Sequence, residues 1–139
     1  MRILGIDYGA KRIGVAICDE LGITAQALAV IERKNKKKDF EAIGNFLQIY
    51  GVEKIVVGYP LRLDGTAGIQ CEKVDAFIRN LAALFSLPVI RWDEVLSTKA
   101  AEEILRETNI RVKKRKTVVD KIAAGMILQG YLDHLGRMK

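Results

Sequence analysis

The sequence has few of the residues that build disulfide frameworks, zinc sites and hydrolytic triads. Its 139 residues include two cysteines, Cys18 and Cys71, and one histidine, His134. These are too few for a disulfide framework or for a zinc site of the usual spacing. Serines are equally scarce, and the single histidine stands near the C-terminus, which argues against a Ser-His-Asp triad. The cysteine usage favours a reducing compartment, and we expect a cytoplasmic protein.

Long apolar stretches are also missing. No run approaches the roughly 18–20 apolar residues of a membrane span, and Asp7 would interrupt a signal-peptide core. Apolar residues nevertheless make up 50% of the chain and charged residues 29%. That balance supports a packed core, and the length predicts one domain over residues 1–139.

Positive charge exceeds negative charge and is concentrated in two segments. The chain has 23 Lys and Arg residues against 17 Asp and Glu, a net charge of +6. Ten of these basic residues lie within residues 33–38 and 111–116. A basic domain of this kind favours a polyanionic partner. Solvated charged loops are the alternative interpretation of both segments.

The periodicity of apolar residues predicts a mixed α/β domain. Strands are expected at residues 2–8, 12–18, 23–31, 53–58 and 88–92, and helices at 40–50, 69–85, 97–108 and about 117–135. Residues 33–38 are either a loop or the start of the first helix. Three consecutive strands joined by short turns predict an antiparallel meander. The later alternation of helices and strands predicts parallel crossovers. Gly9, in the first turn, is free to adopt a positive φ.

Acidic residues stand at the ends of three apolar elements. Asp7 ends the first strand, and Asp120 begins an otherwise apolar helix face. Asp93 and Glu94 follow the last strand. Each acid alone is equally consistent with a turn or helix-dipole role. Together they suggest oxygen ligands for Mg²⁺ or Mn²⁺, and two such ions can promote phosphodiester hydrolysis.

Other phosphate-binding motifs fail on particular residues. The segment 9–14 has the glycine spacing of a P-loop, but Val15 and Ala16 occupy the positions where Lys and Ser or Thr are required. The pair Gly5 and Gly9 does not form the Gly-x-Gly-x-x-Gly pattern of dinucleotide-binding folds. Neither nucleotide motif is therefore supported.

Four segments together resemble one known family. They are residues 5–16 (GIDYGAKRIGVA), residues 57–66 with Val-Gly-Tyr-Pro-Leu and Asp-Gly-Thr, residues 92–98 (WDEVLST) and residues 116–132. In this order they resemble the bacterial YqgF (RuvX-like) family over nearly the whole chain. The family usually has an arginine where this chain has Val95, which puts one substrate contact in question.

The resemblance implies an RNase H-like fold and a nuclease. The expected fold is a five-stranded mixed sheet flanked by helices, with strands 1–3 antiparallel, strands 4–5 parallel and the first strand central. The implied activity is metal-dependent endonucleolytic cleavage at the 5′ end of pre-16S rRNA. The implied catalytic residues are Asp7, Glu94 and Asp120. The same three residues and Asp93 are the candidate ligands of one or two Mg²⁺ or Mn²⁺ ions, with Glu94 favoured over Asp93.

Basic residues and one loop are the candidate substrate contacts. Lys11 and Arg12 follow Asp7 directly, and the loop residues Asp64, Gly65 and Thr66 offer backbone amides at a helix N-terminus. The second basic segment adds Lys113, Lys114, Arg115 and Lys116. The expected partner is structured nucleic acid, pre-rRNA in preference to DNA, with the assembling ribosomal subunit as a further partner.

Three other functions remain open at this stage. A Holliday junction resolvase would need two active sites and therefore a two-fold dimer, and the sequence shows no clear dimer surface. A non-catalytic RNA-binding module would keep the fold without the chemistry. An actin-like ATPase or sugar kinase also has an Asp-x-Gly sequence after its first strand, but such proteins need two domains of this kind.

Overall fold

The computed structural model describes residues 1–59, 69–93 and 112–137, with side chains at 1–59, 71–93 and 121–137. The elements are β1 (Ile3–Tyr8), β2 (Arg12–Cys18), β3 (Ala25–Glu32), α1 (Lys36–Tyr50), β4 (Lys54–Tyr59), α2 (Ile69–Phe85), β5 (Val89–Asp93) and α3 (Val112–Arg137). The predicted loop at 60–68 and the predicted helix at 97–108 lie outside the described residues. None of the helices in the described part is long and apolar enough to cross a membrane.

The strands form one mixed sheet in the order β3-β2-β1-β4-β5. The pairs β1–β2 and β2–β3 are antiparallel, whereas β1–β4 and β4–β5 are parallel. The predicted meander followed by parallel crossovers is therefore confirmed, with β1 at the centre. Both edges of β1 are therefore hydrogen-bonded to neighbouring strands. Polar side chains can be accommodated at its C-terminal end.

Alternate residues of the strands build two separate cores, one on each face of the sheet. On β1, Leu4 and Ile6 pack into the core beneath α1 and α2, together with residues such as Ile55 and Leu81. Ile3 belongs to the opposite core, which α3 covers. Each fully buried aliphatic side chain contributes roughly 1.5–3 kcal/mol relative to exposure, so the two cores hold helices on both faces.

Helix α1 has well-defined ends. The Asn35 side chain accepts a hydrogen bond of 2.9 Å from the Lys38 backbone N–H and so caps the helix. Gly51 ends it in the left-handed conformation, with φ at 59°. Three lysines occupy the first turn, where the helix dipole disfavours cations. The buried carboxylate of Asp39 supplies negative charge there.

Helix α3 begins about five residues earlier than the predicted start near residue 117. The basic residues 113–116 were expected to precede the helix, and that expectation is wrong. Lys and Arg are good helix formers and no glycine or proline interrupts the segment, so the helix extends through it. The side chains of these four residues lie outside the described set.

Strand β3 forms in spite of its alanine content, because α3 crosses it closely. The Ala25 backbone N–H donates to Gln129 Oε1 at 2.8 Å, and the same amide donates through Nε2 to the Ile23 carbonyl at 2.9 Å. A β-carbon on Gly125 would lie 4.0 Å from the Ala27 nitrogen. Small side chains permit this approach, and the helix contact outweighs their low strand propensity.

Candidate active site

Asp7 lies half-buried at the C-terminal end of β1, on the face that α3 covers. It follows Ile3 and Gly5 at the two-residue spacing of a strand, and both of these residues face α3. Its partner in register on β2 is Gly14. On β4, Gly58 follows the partner of Ile6. Asp7 is therefore flanked on both sides by backbone without side chains.

The glycines around Asp7 allow α3 to approach the sheet closely. A β-carbon on Gly5 would lie 2.7 Å from the Leu128 Cβ and 3.2 Å from the Ala124 carbonyl oxygen. A β-carbon on Gly58 would collide with the Ile127 side chain. Glycine inside a strand is typical of places where another backbone comes close. This signal was present in the sequence, but its role at the site was missed.

The same contacts give the direction of α3 across the sheet. Lys54, at the start of β4, donates a hydrogen bond of 3.1 Å to the Tyr131 hydroxyl, whereas Gly58, near its end, contacts Ile127. The helix therefore runs antiparallel to β4 and to its parallel neighbour β1. Residues nearer the N-terminus of α3 therefore lie nearer the C-terminal end of β1.

This direction brings the backbone of Asp120 to the end of the sheet that carries Asp7. Ala124 packs on Gly5, and Asp120 lies one helical turn earlier, about 6 Å along the axis. Asp7 lies two residues beyond Gly5, about 6.6 Å along the strand. The two displacements have the same direction and nearly the same length. The side chain of Asp120 lies outside the described residues.

The turn after Asp7 is held by Arg33, a residue that the sequence analysis assigned only to a basic segment. Its Nη1 donates to the carbonyl oxygens of Gly9 and Ala10, both at 3.0 Å. Its backbone N–H donates to the Lys11 carbonyl at 3.0 Å. Its Nε lies 3.7 Å from a carboxylate oxygen of the buried Asp39. The turn is thereby tied to the junction of β3 and α1.

The two basic residues of this turn differ in exposure. Lys11 is exposed, whereas Arg12 is half-buried and lies at a β2 position on the α3 face, the face of Asp7. Gly9 has no positive φ, although a glycine is free to adopt one; among the described glycines only Gly22 and Gly51 have it. It is needed for another reason: its β-carbon would lie 2.5 Å from the Arg12 carbonyl oxygen.

Asp93 lies on the opposite face of the sheet from Asp7. Its register partner on β4 is Tyr59, which belongs to the core beneath α1 and α2. The Arg91 guanidinium lies 4.1 Å from the centre of the Tyr59 ring, and its Nε is 3.3 Å from an Asp93 carboxylate oxygen. The structure thus does not bring Asp93 to Asp7. Glu94 lies outside the described residues, as do Asp64, Gly65 and Thr66.

Tyr59, at the end of β4, has a pKa displaced from the ordinary value of a phenol. Its hydroxyl donates to Asp75 Oδ2 at 3.0 Å. Burial, the hydrogen bond to Asp75 and the neighbouring Cys71 raise the pKa of Tyr59 to about 12. The phenol is therefore a neutral hydrogen-bond donor at physiological pH and ties β4 to α2.

The donor chemistry of the candidate site suits a hard divalent cation. Among the side chains that the structure describes, no group of three or more His, Cys, Asp and Glu residues is placed to hold a metal ion. The candidate set consists of Asp7 with Asp120 and Glu94, and the last two side chains are not described. All three supply carboxylate oxygens, which Mg²⁺ and Mn²⁺ prefer, so the residue types fit such an ion.

A central strand ending in an acid, with the last helix bringing a second acid to the same end, defines an RNase H-like protein. Solved structures share this fold. RuvC of Thermus thermophilus in complex with a Holliday junction substrate matches with a TM-score of 0.58 at 15% identity, covering 98% of this chain and 96% of that chain. The fowlpox virus resolvase bound to Holliday junction DNA matches with a TM-score of 0.56 at 15% identity, covering 97% and 99%.

Sequence similarity narrows this class to one family. A family model described as "RuvX: Holliday junction resolvase" matches residues 1–134. A protein of Syntrophus aciditrophicus named "Putative pre-16S rRNA nuclease" is 60% identical over 139 residues, all of this chain and 93% of its own length. A protein of Halothermothrix orenii with the same name is 49% identical, covering 99% of both chains. The chain belongs to the RuvX family, as the four motifs predicted.

Proposed function

We propose that this chain is a cytoplasmic, divalent-metal-dependent endonuclease that processes the 5′ end of pre-16S rRNA during ribosome biogenesis. The observation that carries the proposal is the packing of Ala124 on Gly5, since it puts the backbone of Asp120 at the end of β1 that carries Asp7. Relatives at 49–60% identity are named for the same substrate.

In this proposal Asp7, Asp120 and Glu94 form the catalytic cluster and hold the metal. Glu94 is preferred to Asp93 because Asp93 lies on the other face of the sheet, beside Arg91 and Tyr59. When bound, a divalent ion would supply an activated water and would polarise the phosphate under attack. The carboxylates would orient that ion, and the half-buried position of Asp7 would limit competing solvent.

The basic residues of the turn hold the substrate in this proposal. Lys11 is exposed for contact with a backbone phosphate, and Arg12 lies on the face of Asp7. Arg33 fixes the carbonyl groups of this turn and so positions Lys11 at little entropic cost. The loop residues Asp64, Gly65 and Thr66 and the basic residues Lys113, Lys114, Arg115 and Lys116 are proposed to contact further phosphates.

The test is a cleavage assay with Mg²⁺ or Mn²⁺, run in parallel on a 5′ fragment of pre-16S rRNA and on a four-way DNA junction. We expect the parent protein to cut the RNA. Asp7→Asn and Asp120→Asn should lose more than about 100-fold in rate, since changing even the groups around metal ligands costs 10- to 100-fold. Asp93→Asn should stay within about threefold of the parent. Asp133→Asn, an exposed change elsewhere on α3, is the matched control.

The outcomes separate the candidate functions. RNA cleavage that persists in Asp7→Asn would overturn the site. Binding of RNA without cleavage by the parent would favour a non-catalytic module. Symmetric cutting of the junction instead of RNA would favour a resolvase, the function in the description of the matching family model. A resolvase must also sediment as a two-fold dimer.

A further inference from the structure

A small pocket lies between the start of α1 and the middle of α2, on the face of the sheet opposite Asp7. Its volume is about 70 Å³. The lining residues that the argument uses are Tyr8, Arg33, Lys36, Asp39, Lys73 and Asn80. They come from β1, the β3–α1 junction, α1 and α2, so the tertiary fold assembles the pocket from separate parts of the sequence.

The pocket has an excess of positive charge. Three cationic side chains, Arg33, Lys36 and Lys73, face one carboxylate, Asp39. That carboxylate is already paired with Arg33, at 3.7 Å, and accepts the Lys34 backbone N–H at 3.0 Å. Among the described residues, Lys36 and Lys73 have no side-chain ion pair or hydrogen bond. Two cations at one concave site attract an anion.

The floor of the pocket is built of packed aromatic rings. The Tyr8 ring stacks on Phe77 with centroids 4.1 Å apart, and Phe40 stacks on the same ring at 5.7 Å. The Arg33 guanidinium lies 4.6 Å from the centre of the Tyr8 ring. Packed aromatic rings hold the surrounding side chains in place, so that an anion would bind with little reorganisation.

The pocket and the candidate active site lie at the same end of the sheet, on its two opposite faces. Tyr8, which lines the pocket, directly follows Asp7, and successive strand residues point to opposite faces. Arg33, which also lines the pocket, bonds the turn that carries Lys11 over the end of the sheet. Arg33 therefore connects the pocket to the turn that carries Lys11.

We infer that this pocket binds a phosphate group of the nucleic-acid substrate, so that the substrate backbone contacts both faces of the sheet end. The inference rests on the proposed nuclease function and extends it to a second phosphate site remote from the cut. It gives Lys36 a specific role, because the other lysines of the first basic segment do not line the pocket. It also adds Lys73, which belongs to no basic segment of the sequence.

The test compares two charge-matched double variants in the full chain. Lys36→Gln with Lys73→Gln removes both pocket lysines. Lys38→Gln with Arg79→Gln removes the same charge from the same two helices, at exposed positions that do not line the pocket. Both pairs are combined with Asp7→Asn to keep the RNA intact, and binding of the labelled pre-16S fragment is measured by fluorescence anisotropy at several salt concentrations. Thermal unfolding confirms that each variant folds.

We expect the pocket pair to weaken RNA binding about tenfold at 0.1 M salt and to lower the salt slope by about one, the loss of one phosphate contact. The control pair should change the affinity by less than about threefold and leave the slope unchanged. Equal losses in the two pairs would mean a general charge effect and would overturn the inference.

A second titration separates the two sources of phosphate. Inorganic phosphate is titrated into the protein by calorimetry. The parent could release heat on binding phosphate while the pocket pair of substitutions abolishes that heat and leaves RNA affinity unchanged. This result would mean that the pocket binds free anions, and it would overturn the inference that it binds the nucleic acid. The proposed function is judged independently, because cleavage by the parent and its loss in Asp7→Asn do not depend on either lysine pair.

Discussion

Neighbouring residues at the end of β1 have different surroundings, because strand side chains alternate between the faces of the sheet. Asp7 lies on the α3 face, whereas Tyr8 stacks on Phe77 beneath α2. The position of Asp7 at the end of β1 was predicted from sequence, and its role in the site stays a prediction, made because an acid at the end of an apolar strand is costly without a role. The choice between Asp93 and Glu94 could not be settled in this way, because it depends on which face β5 turns towards α3.

The ionisation of Tyr59 gives a prediction at the scale of a single residue. Its pKa is raised to about 12, first by burial and then by its bond to Asp75, so the folded state favours the neutral phenol. The resulting stabilisation is fully present below about pH 10 and is lost as the pH rises towards 12. In a spectrophotometric titration of the phenolate absorbance, Tyr59 of the parent should ionise near pH 12.

The matched control for this titration is Tyr59→Phe, which should lack that late step. Asp75→Asn removes the carboxylate that disfavours the phenolate and should move the step to lower pH. A parent titration in which Tyr59 ionises near pH 10 would contradict the packing described here.

At the scale of elements, the apolar periodicity predicted most of the fold. Helix α2 begins and ends where predicted, at Ile69–Phe85, and the five strands are displaced by at most two residues. The start of α3 was missed because a run of charges was taken as a break, although its residues are good helix formers. The clamp that Arg33 forms on Gly9 and Ala10 joins positions 23 and 24 residues apart, and no local pattern contains that information.

The close packing of α3 on β1 leads to the second prediction. Gly5→Ala puts a carbon within 2.7 Å of the Leu128 Cβ and 3.2 Å of the Ala124 carbonyl, so the helix must move. Overpacking of this kind costs roughly 1–3 kcal/mol in the free energy of unfolding. Cleavage should fall at least tenfold, since a shift of about 1 Å at a site can cost 100-fold. Chemical denaturation and the cleavage rate measure the two effects.

The comparison variant for Gly5→Ala, which is in β1, lies on α3 itself. Gly125→Ala adds a carbon that would lie 4.0 Å from its nearest neighbour, the Ala27 nitrogen. This distance is an ordinary van der Waals contact, so nothing has to move. It should stabilise the helix by up to about 1 kcal/mol and leave cleavage unchanged. If both variants were equally active and stable, the proposed coupling between the helix position and the site would be wrong.

At the scale of the whole molecule, the two faces of the sheet carry different parts of the proposed activity. The α3 face carries Asp7 and brings the backbone of Asp120 to it, while the opposite face carries the basic pocket between α1 and α2. The sheet is continuous between them, and each face has its own packed core. Unfolding should therefore be a single cooperative transition, as the prediction of one domain over residues 1–139 requires.

Linkage between metal binding and unfolding of the whole chain gives the last prediction. An ion that binds only the folded state stabilises it by mass action, by about 2.7 kcal/mol at 100 times its Kd. For a chain of this length, that corresponds to a rise in Tm of about 5–10 °C. Mg²⁺ or Mn²⁺ should produce this rise in the parent and in Asp133→Asn, but not in Asp7→Asn. Calorimetric scans with the chloride salts and with EDTA measure it, and an equal rise in Asp7→Asn would mean that the ion binds elsewhere.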